Sequence, residues 1–473
     1  MRRSAQLAFT GAALPTALNL AAIGDAAAFN ATDYKALVCI FLYGGNDHWN
    51  TVVPYDTTNY GLYSALRSSG GIALERDTLA NTVLAATAAG GKQYALHPTM
   101  AGLAGLFNAG KTAVQLNVGP LVVPVTKTQY EGSNRALYPL PPKLFSHNDQ
   151  QSVWQSSSPE GSTIGWGGNM ADLALSSNGT GSLFTCMSVT GNAVFLSGDD
   201  ALAYQVSLGG AVKIRSISDN VFGSSAVKDT IRQLVQQTRS DVLENEYNRV
   251  AQRSIAAEGS INGGIAATAA AAGGSTGEFA PFAGIPNTNQ LAAQLKMVAR
   301  LVAARTSLST KRQVFFVSMG GFDLHDNLLA GHATNMTRVS EAMSAFYQTT
   351  VNLGVADKVT SFTASDFGRT LTSNGDGSDH GRGGHHFVVG GAVKGKAFYG
   401  TPPPVSVGSG SGAEDQWHLG QGRLLPSTSV DQYAATLASW FGVEPNELAG
   451  ILPNLRNFGA PNAVDYPVNL GFL

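Results

Sequence analysis

The sequence predicts an α/β fold of three layers, a largely parallel central sheet flanked by helices. Three observations predict it. Short, continuous apolar runs that stop at glycines read as strands buried on both faces. Longer stretches between them repeat apolar residues at helical spacing. The two alternate along the chain, as parallel strands joined by helical crossovers do. The 473 residues are 44% hydrophobic and only 13% charged, enough apolar surface for a large core, and residues 29–473 are read as one domain.

Residues 1–28 precede that domain and read as a signal peptide. Arg2 and Arg3 are followed by an uncharged apolar run from Leu7 to Ile23, then by Ala26, Ala27 and Ala28 as a small-residue cleavage site. The paired arginines point to the twin-arginine export route; the general secretory route is the alternative, because Ser4, Ala5 and Gln6 depart from the usual continuation. The run contains Thr10, Gly11, Pro15 and Asn19 and is short for a bilayer span, so no permanent membrane anchor is expected. A periplasmic or secreted location follows.

The first strand is Ala36 to Tyr43, ending at Gly44 and Gly45. Gln313 to Met319 ends likewise at Gly320 and Gly321, and Val359 to Ala364 and Phe387 to Val389 are further strands. Helices are expected over Met100–Ala109, Ala226–Ala256, Asn289–Ala304, Ala333–Val351 and Val430–Phe441; Met336, Val339, Met343 and Phe346 form one core-facing stripe. The Gly/Ala/Ser/Thr-rich stretch 263–277 reads as a flexible surface loop. Cys39 and Cys186 lie in apolar surroundings and are read as small core residues. With 30 basic against 32 acidic residues and no run of either sign, no nucleic-acid partner is expected.

Charged and imidazole side chains are scarce, yet they gather after the strands, where open α/β sheets bind ligands. Asp47 follows the first strand, with a helix-capping role as the plainer alternative. Ser146 opens a short helix in Leu144–Gln151 and is either its cap or a nucleophile favoured by the helix terminus; His147 follows it. Asp323 and His325 follow the second long strand, and Asp366 and Arg369 the third. Arg369 either pairs with Asp366 or holds an anionic substrate in a bidentate fork. Ser378–Gly390 carries Asp379, His380, His385 and His386 among glycines, a density that core packing does not explain. This mixture of oxygen and nitrogen donors suits zinc or manganese and, with more oxygens, magnesium or calcium.

In chain order Asp47, Ser146, Asp323, His325, Asp379, His380 and His386 resemble the ligand and nucleophile order of the alkaline-phosphatase-like superfamily, with Asp379-His380-Gly381 matching its Asp-His-Gly motif. The segments 44–55, 97–107, 144–155, 320–327, 365–369, 378–395 and 431–443 resemble a bacterial family, domain of unknown function 1501, whose members are often described as sulfatase-like. The resemblance implies an exported hydrolase of phosphate or sulfate esters using two divalent cations. Asp47, Asp379 and His380 would hold one, Asp323, His325 and His386 the other; Ser146 would attack, and His147 or Arg369 would neutralise the transferred group of a small anionic ester. Departures exist: His325 stands two rather than four residues after Asp323, with His332 as a substitute, and Asp366 replaces the usual Glu. A non-catalytic exported binding or assembly protein on the same fold, and a mononuclear enzyme using water, are the alternatives.

Overall fold

A computed structural model describes residues 31–272, 277–459 and 466–473; the expected signal peptide lies outside them. Eleven strands occur in these residues: β1 Lys35–Leu42, β2 Val52–Pro54, β3 Tyr94–Leu96, β4 Thr112–Gly119, β5 Cys186–Ser188, β6 Ala203–Gln205, β7 Arg312–Met319, β8 Val359–Ser365, β9 Gly384–Gly390, β10 Ala397–Tyr399 and β11 Thr428–Ser429. Nine form one sheet in the order β10-β4-β9-β8-β1-β7-β5-β6, with β11 also on β4, while β2 and β3 pair separately. Every pairing in the large sheet is parallel except those of β9, which runs antiparallel to β4 and β8. The fold class is therefore α/β with a largely parallel sheet, as expected.

The larger helices are α1 Thr57–Arg67, α2 Ala101–Asn108, α3 His147–Ser156, α4 Ser225–Gln236, α5 Val242–Ala272, α6 Gln290–Ala303, α7 Leu328–Asn352 and α8 Val430–Phe441. Alternation along β1 shows how they make two outer layers. Ala36, Val38, Ile40 and Leu42 enter one core with residues of α2, α6 and α7. Leu37, Cys39 and Phe41 enter the other with Trp154, Trp166 and residues of α8. Cys39 and Cys186 are free thiols buried in that second core.

Two expectations are corrected. The single helix expected over Ala226–Ala256 is two helices, because the chain turns extended at Gln237 and Asp241 starts the next helix by accepting from the backbone N–H groups of Leu243 and Glu244. The loop expected at 263–277 is helical as far as Ala272. Alanine is the strongest helix former, and Ala257, Ile261 and Ile265, spaced four apart, bury one face there. Among the described residues no helix is long and apolar enough to cross a membrane.

This topology sets the place of the chemistry. Strands β1, β7 and β8 run side by side in the same direction, so the loops after Leu42, Met319 and Ser365 leave from one edge of the sheet. Because β9 runs the other way, the loop before Gly384 arrives at that edge.

Candidate metal centre

Asp323, in the loop after β7, is the hub. Its Oδ1 lies 3.0 Å from His325 Nε2 and 3.2 Å from His380 Nε2, and those two nitrogens are 3.0 Å apart. Its Oδ2 lies 3.4 Å from His147 Nε2. One donor atom each from His147, Asp323 and His380 falls within 4.8 Å of the others. Asp379 adjoins them, with Oδ1 3.3 Å from His325 Nδ1.

The outer nitrogens of the three rings all face acceptors. His147 Nδ1 is 2.6 Å from Asp366 Oδ2, His380 Nδ1 is 2.8 Å from the Phe145 carbonyl oxygen, and His325 Nδ1 faces Asp379. A proton on each Nδ1 leaves the Nε2 lone pairs pointing at the Asp323 carboxylate. Lone pairs and a carboxylate repel unless a proton or cation lies between them, and imidazoles held this way are the usual form of metal-bound histidine. Donor atoms in a tetrahedral zinc site with bonds of about 2.0–2.1 Å stand about 3.3 Å apart, close to the spacings here. The donor set thus fits a divalent cation.

Arg369 is fully buried, and all three of its nitrogens are bonded. Its Nη1 donates to Asp323 Oδ1 at 2.7 Å and to the Gly44 carbonyl at 3.1 Å, and its Nε donates to Ser378. Burial would raise the Asp323 carboxyl, but Arg369, with His325 and His147, outweighs it and holds the group below the ordinary carboxylate range. The hydrogen bond to Asp366 raises His147 against the effect of burial. Burial lowers His380 despite its bond to the Phe145 carbonyl.

The cluster opens on a cleft of about 500 Å³ walled by Tyr130, Phe145, Leu419 and Arg423. Asp323 and His325 are the most open of the group, at 42% and 45% exposure, so ligand can reach them.

Residues 34–418 match the model of a family described as a protein of unknown function, DUF1501. The chain belongs to the DUF1501 family. No curated protein matches it. Among solved structures, this DUF1501 chain is similar to Ps i-CgsB in complex with k-i-k-neocarrahexaose, at 9% identity and a TM-score of 0.36 over 90% of this chain and 77% of that one. It is also similar to the lipoteichoic acid synthase LtaP from Listeria monocytogenes, at 8% identity and a TM-score of 0.31 over 87% of this chain and 72% of that one.

Of the expected ligands of this DUF1501 chain, Asp323, His325, Asp379 and His380 come together, and His147 joins them. Asp47 and His386 do not. Asp47 is buried beside α1 and bonded to Arg67. His386 lies within the sheet against Trp154 and Tyr433, its Nδ1 3.4 Å from Thr363 Oγ1, and burial lowers it to about 3. The two three-residue metal groups are therefore not assembled. His332 is also buried, facing Asn46 and Thr51, and lowered to about 3 by its burial. Ser146 Oγ donates to Asp149 Oδ2 at 2.9 Å and makes no cap bond to its own helix. Arg369 pairs with Asp323, which corrects both readings of it, since its partner is not Asp366 and the side chain is buried with each nitrogen bonded inside the protein. Sequence reasoning offered Asp366 as a partner for Arg369 rather than for His147, and assigned no role to the Phe145 carbonyl or to Asn374, which bonds Asp379 at 2.8 Å. The position of Asp366 just past β8 was the available signal; backbone carbonyls leave none.

Proposed function

We propose that this protein is an exported hydrolase of phosphate or sulfate esters that works with one divalent cation held by Asp323, His325 and His380, with His147 and Asp379 beside them. The observation that carries this reading is the convergence of three Nε2 atoms, each ring braced through Nδ1, on one carboxylate at the mouth of a cleft. A donor set this rich in imidazole favours zinc or manganese over magnesium or calcium. When bound, such an ion supplies Lewis acidity toward an ester oxygen and a lowered pKa for water.

The side chains do the rest. Asp366 fixes the His147 ring, so that His147 Nε2 stands where it can exchange a proton with a reacting oxygen. Arg369 neutralises Asp323 from behind and keeps the loops after β1, β7 and β8 in register. Because the Ser146 hydroxyl is engaged by Asp149, the geometry favours water over Ser146 as nucleophile.

Elemental analysis of the purified mature chain, with turnover measured on aryl phosphates, phosphodiesters and aryl sulfates, tests this. About one equivalent of metal is expected, lost together with turnover in Asp323→Ala and His380→Ala. Ser146→Ala should retain most of the rate; a complete loss without loss of metal would restore Ser146 as nucleophile. Metal retained without turnover on any ester would favour the binding-protein alternative.

A further inference from the structure

With Arg369 buried and committed to Asp323, another group must meet an anion that enters the cleft. Arg423 is placed to do so. Its Nε donates to the His380 carbonyl oxygen at 2.9 Å, which ties the side chain to the residue that carries a metal-facing imidazole. Its guanidinium stands 5.7 Å from the centre of the Phe145 ring. Among the described residues it forms no ion pair, and it lines the cleft, with Asp379 as the carboxylate on the same wall.

The backbone that presents Arg423 is locked in place. Residues 418–424 make a tight hairpin: His418 and Leu424 bridge, and Leu419 and Arg423 exchange a main-chain bond of 2.9 Å. The Gln421 carbonyl accepts from Leu371 N–H at 3.0 Å, which docks the hairpin on the loop after β8. Gly422 has φ of +68°, and a Cβ there would overlap Leu371, so glycine permits that close approach. A held guanidinium loses little freedom on binding, which favours it as an anion fork. Tyr130, Phe145 and Leu419 make the remaining wall aromatic and apolar.

We infer that Arg423 is the anion-binding residue of this cleft, and that Tyr130, Phe145 and Leu419 take an aryl or similarly flat apolar group attached to that anion. The inference deepens the hydrolase reading and rests on it for the word substrate, but it can be tested without turnover. The region matched by the family model ends at His418, the first residue of the hairpin, so Arg423 lies just beyond the matched part.

The test is calorimetric titration of the full metal-loaded chain with inorganic phosphate and with phenyl phosphate. Arg423→Gln keeps an N–H for the His380 carbonyl and removes the charge; it should weaken phosphate binding by about 10- to 100-fold, the range for a lost charge-assisted bond. Arg423→Lys should recover part of the loss. Phenyl phosphate should bind the wild type more tightly than phosphate does, and Leu419→Ala should reduce that difference. Equal phosphate affinity in wild type and Arg423→Gln, with metal content and melting temperature unchanged, would overturn the proposal, as would a wild type that does not bind phosphate. Binding that depends on Arg423 in a protein without esterase turnover would remove the hydrolase reading and leave the anion site standing.

Discussion

Asp47 shows how one side chain can look like a ligand in sequence and be something else in the fold. It follows a central strand, sits two residues after paired glycines, and is almost fully buried. Its Oδ2 is bonded to the guanidinium of Arg67, which also donates to the Leu371 carbonyl at 3.2 Å; among the described residues its Oδ1 has no hydrogen-bond partner. A buried pair of this kind is expensive to break, because the remaining charge is stranded. Asp47→Ala is expected to cost about 3–5 kcal/mol in the free energy of urea unfolding while leaving the metal content of the folded fraction unchanged. Metal lost at wild-type stability would instead return Asp47 to the ligand set. Asp366 makes the opposite case. It accepts from His147, Gln151 and the Gly44 N–H and touches no ester in any reading. Asp366→Asn should lower turnover by about 10- to 100-fold with metal content retained, because it releases the ring of the proton-exchanging His147, and ester assays beside elemental analysis would measure it.

At the scale of elements, the site depends on glycines that let three loops touch. A Cβ on Gly368, just after β8, would overlap the Gly383 carbonyl and come within 2.5 Å of His48 Nδ1. Gly44, at φ +116°, packs against the backbone N of Asp323. Gly368→Ala is therefore expected to destabilise the fold by about 3 kcal/mol, as overpacking of rigid neighbours does, and to loosen the metal; an unchanged urea midpoint would contradict the packing described. The same loops explain what could be read from sequence. Strand β1 was legible because burial on both faces leaves an unbroken apolar run, and β7 because only Ser318 interrupts its run from Val314 to Met319, whereas β8, with Thr360, Ser361 and Thr363, was marked mainly by the polar cluster that follows it. Strand β4 was not, since Gln115 and Asn117 interrupt it and its register shifts between Gln115 and Val118, where Asn117 has φ of +50° and its N–H bonds His385 Nδ1. Asp323, His325, Asp379 and His380 were legible as polar residues beside glycines at strand ends. His386 misled because it already belongs to β9, where alternation sends successive side chains into opposite layers: His385 toward His48 and Trp49, His386 toward Trp154. Composition does not reveal where such a loop ends and the strand begins.

Across the whole molecule, one buried carboxyl links the layer beneath the site to pH. Asp431 opens α8, accepts from Ser157 at the end of α3 at 2.7 Å and from the Asn454 N–H at 3.0 Å, and so joins three segments of that layer. Burial raises its carboxyl from 3.8 to about 6, with the Ser157 and Asn454 bonds opposing the rise only in part. The folded state then holds a proton that the unfolded chain has released, and stability falls as pH rises wherever the native state binds more protons. The contribution is fully present below about pH 4, declines between about pH 4 and pH 6, and is gone above that; its span is on the order of 3 kcal/mol. Asp33, Asp56 and Asp323 are lowered in the fold and slope the other way, below the ordinary carboxylate range, so they do not fill the same window. The difference between wild type and Asp431→Asn isolates the effect. In urea unfolding followed from pH 4 to pH 7.5, the wild type should lose ground steadily to the variant up to about pH 6 and then run parallel to it. Parallel curves across the whole range would mean that Asp431 is ionised in the fold at pH 4, and that its two bonds, rather than its burial, decide its state.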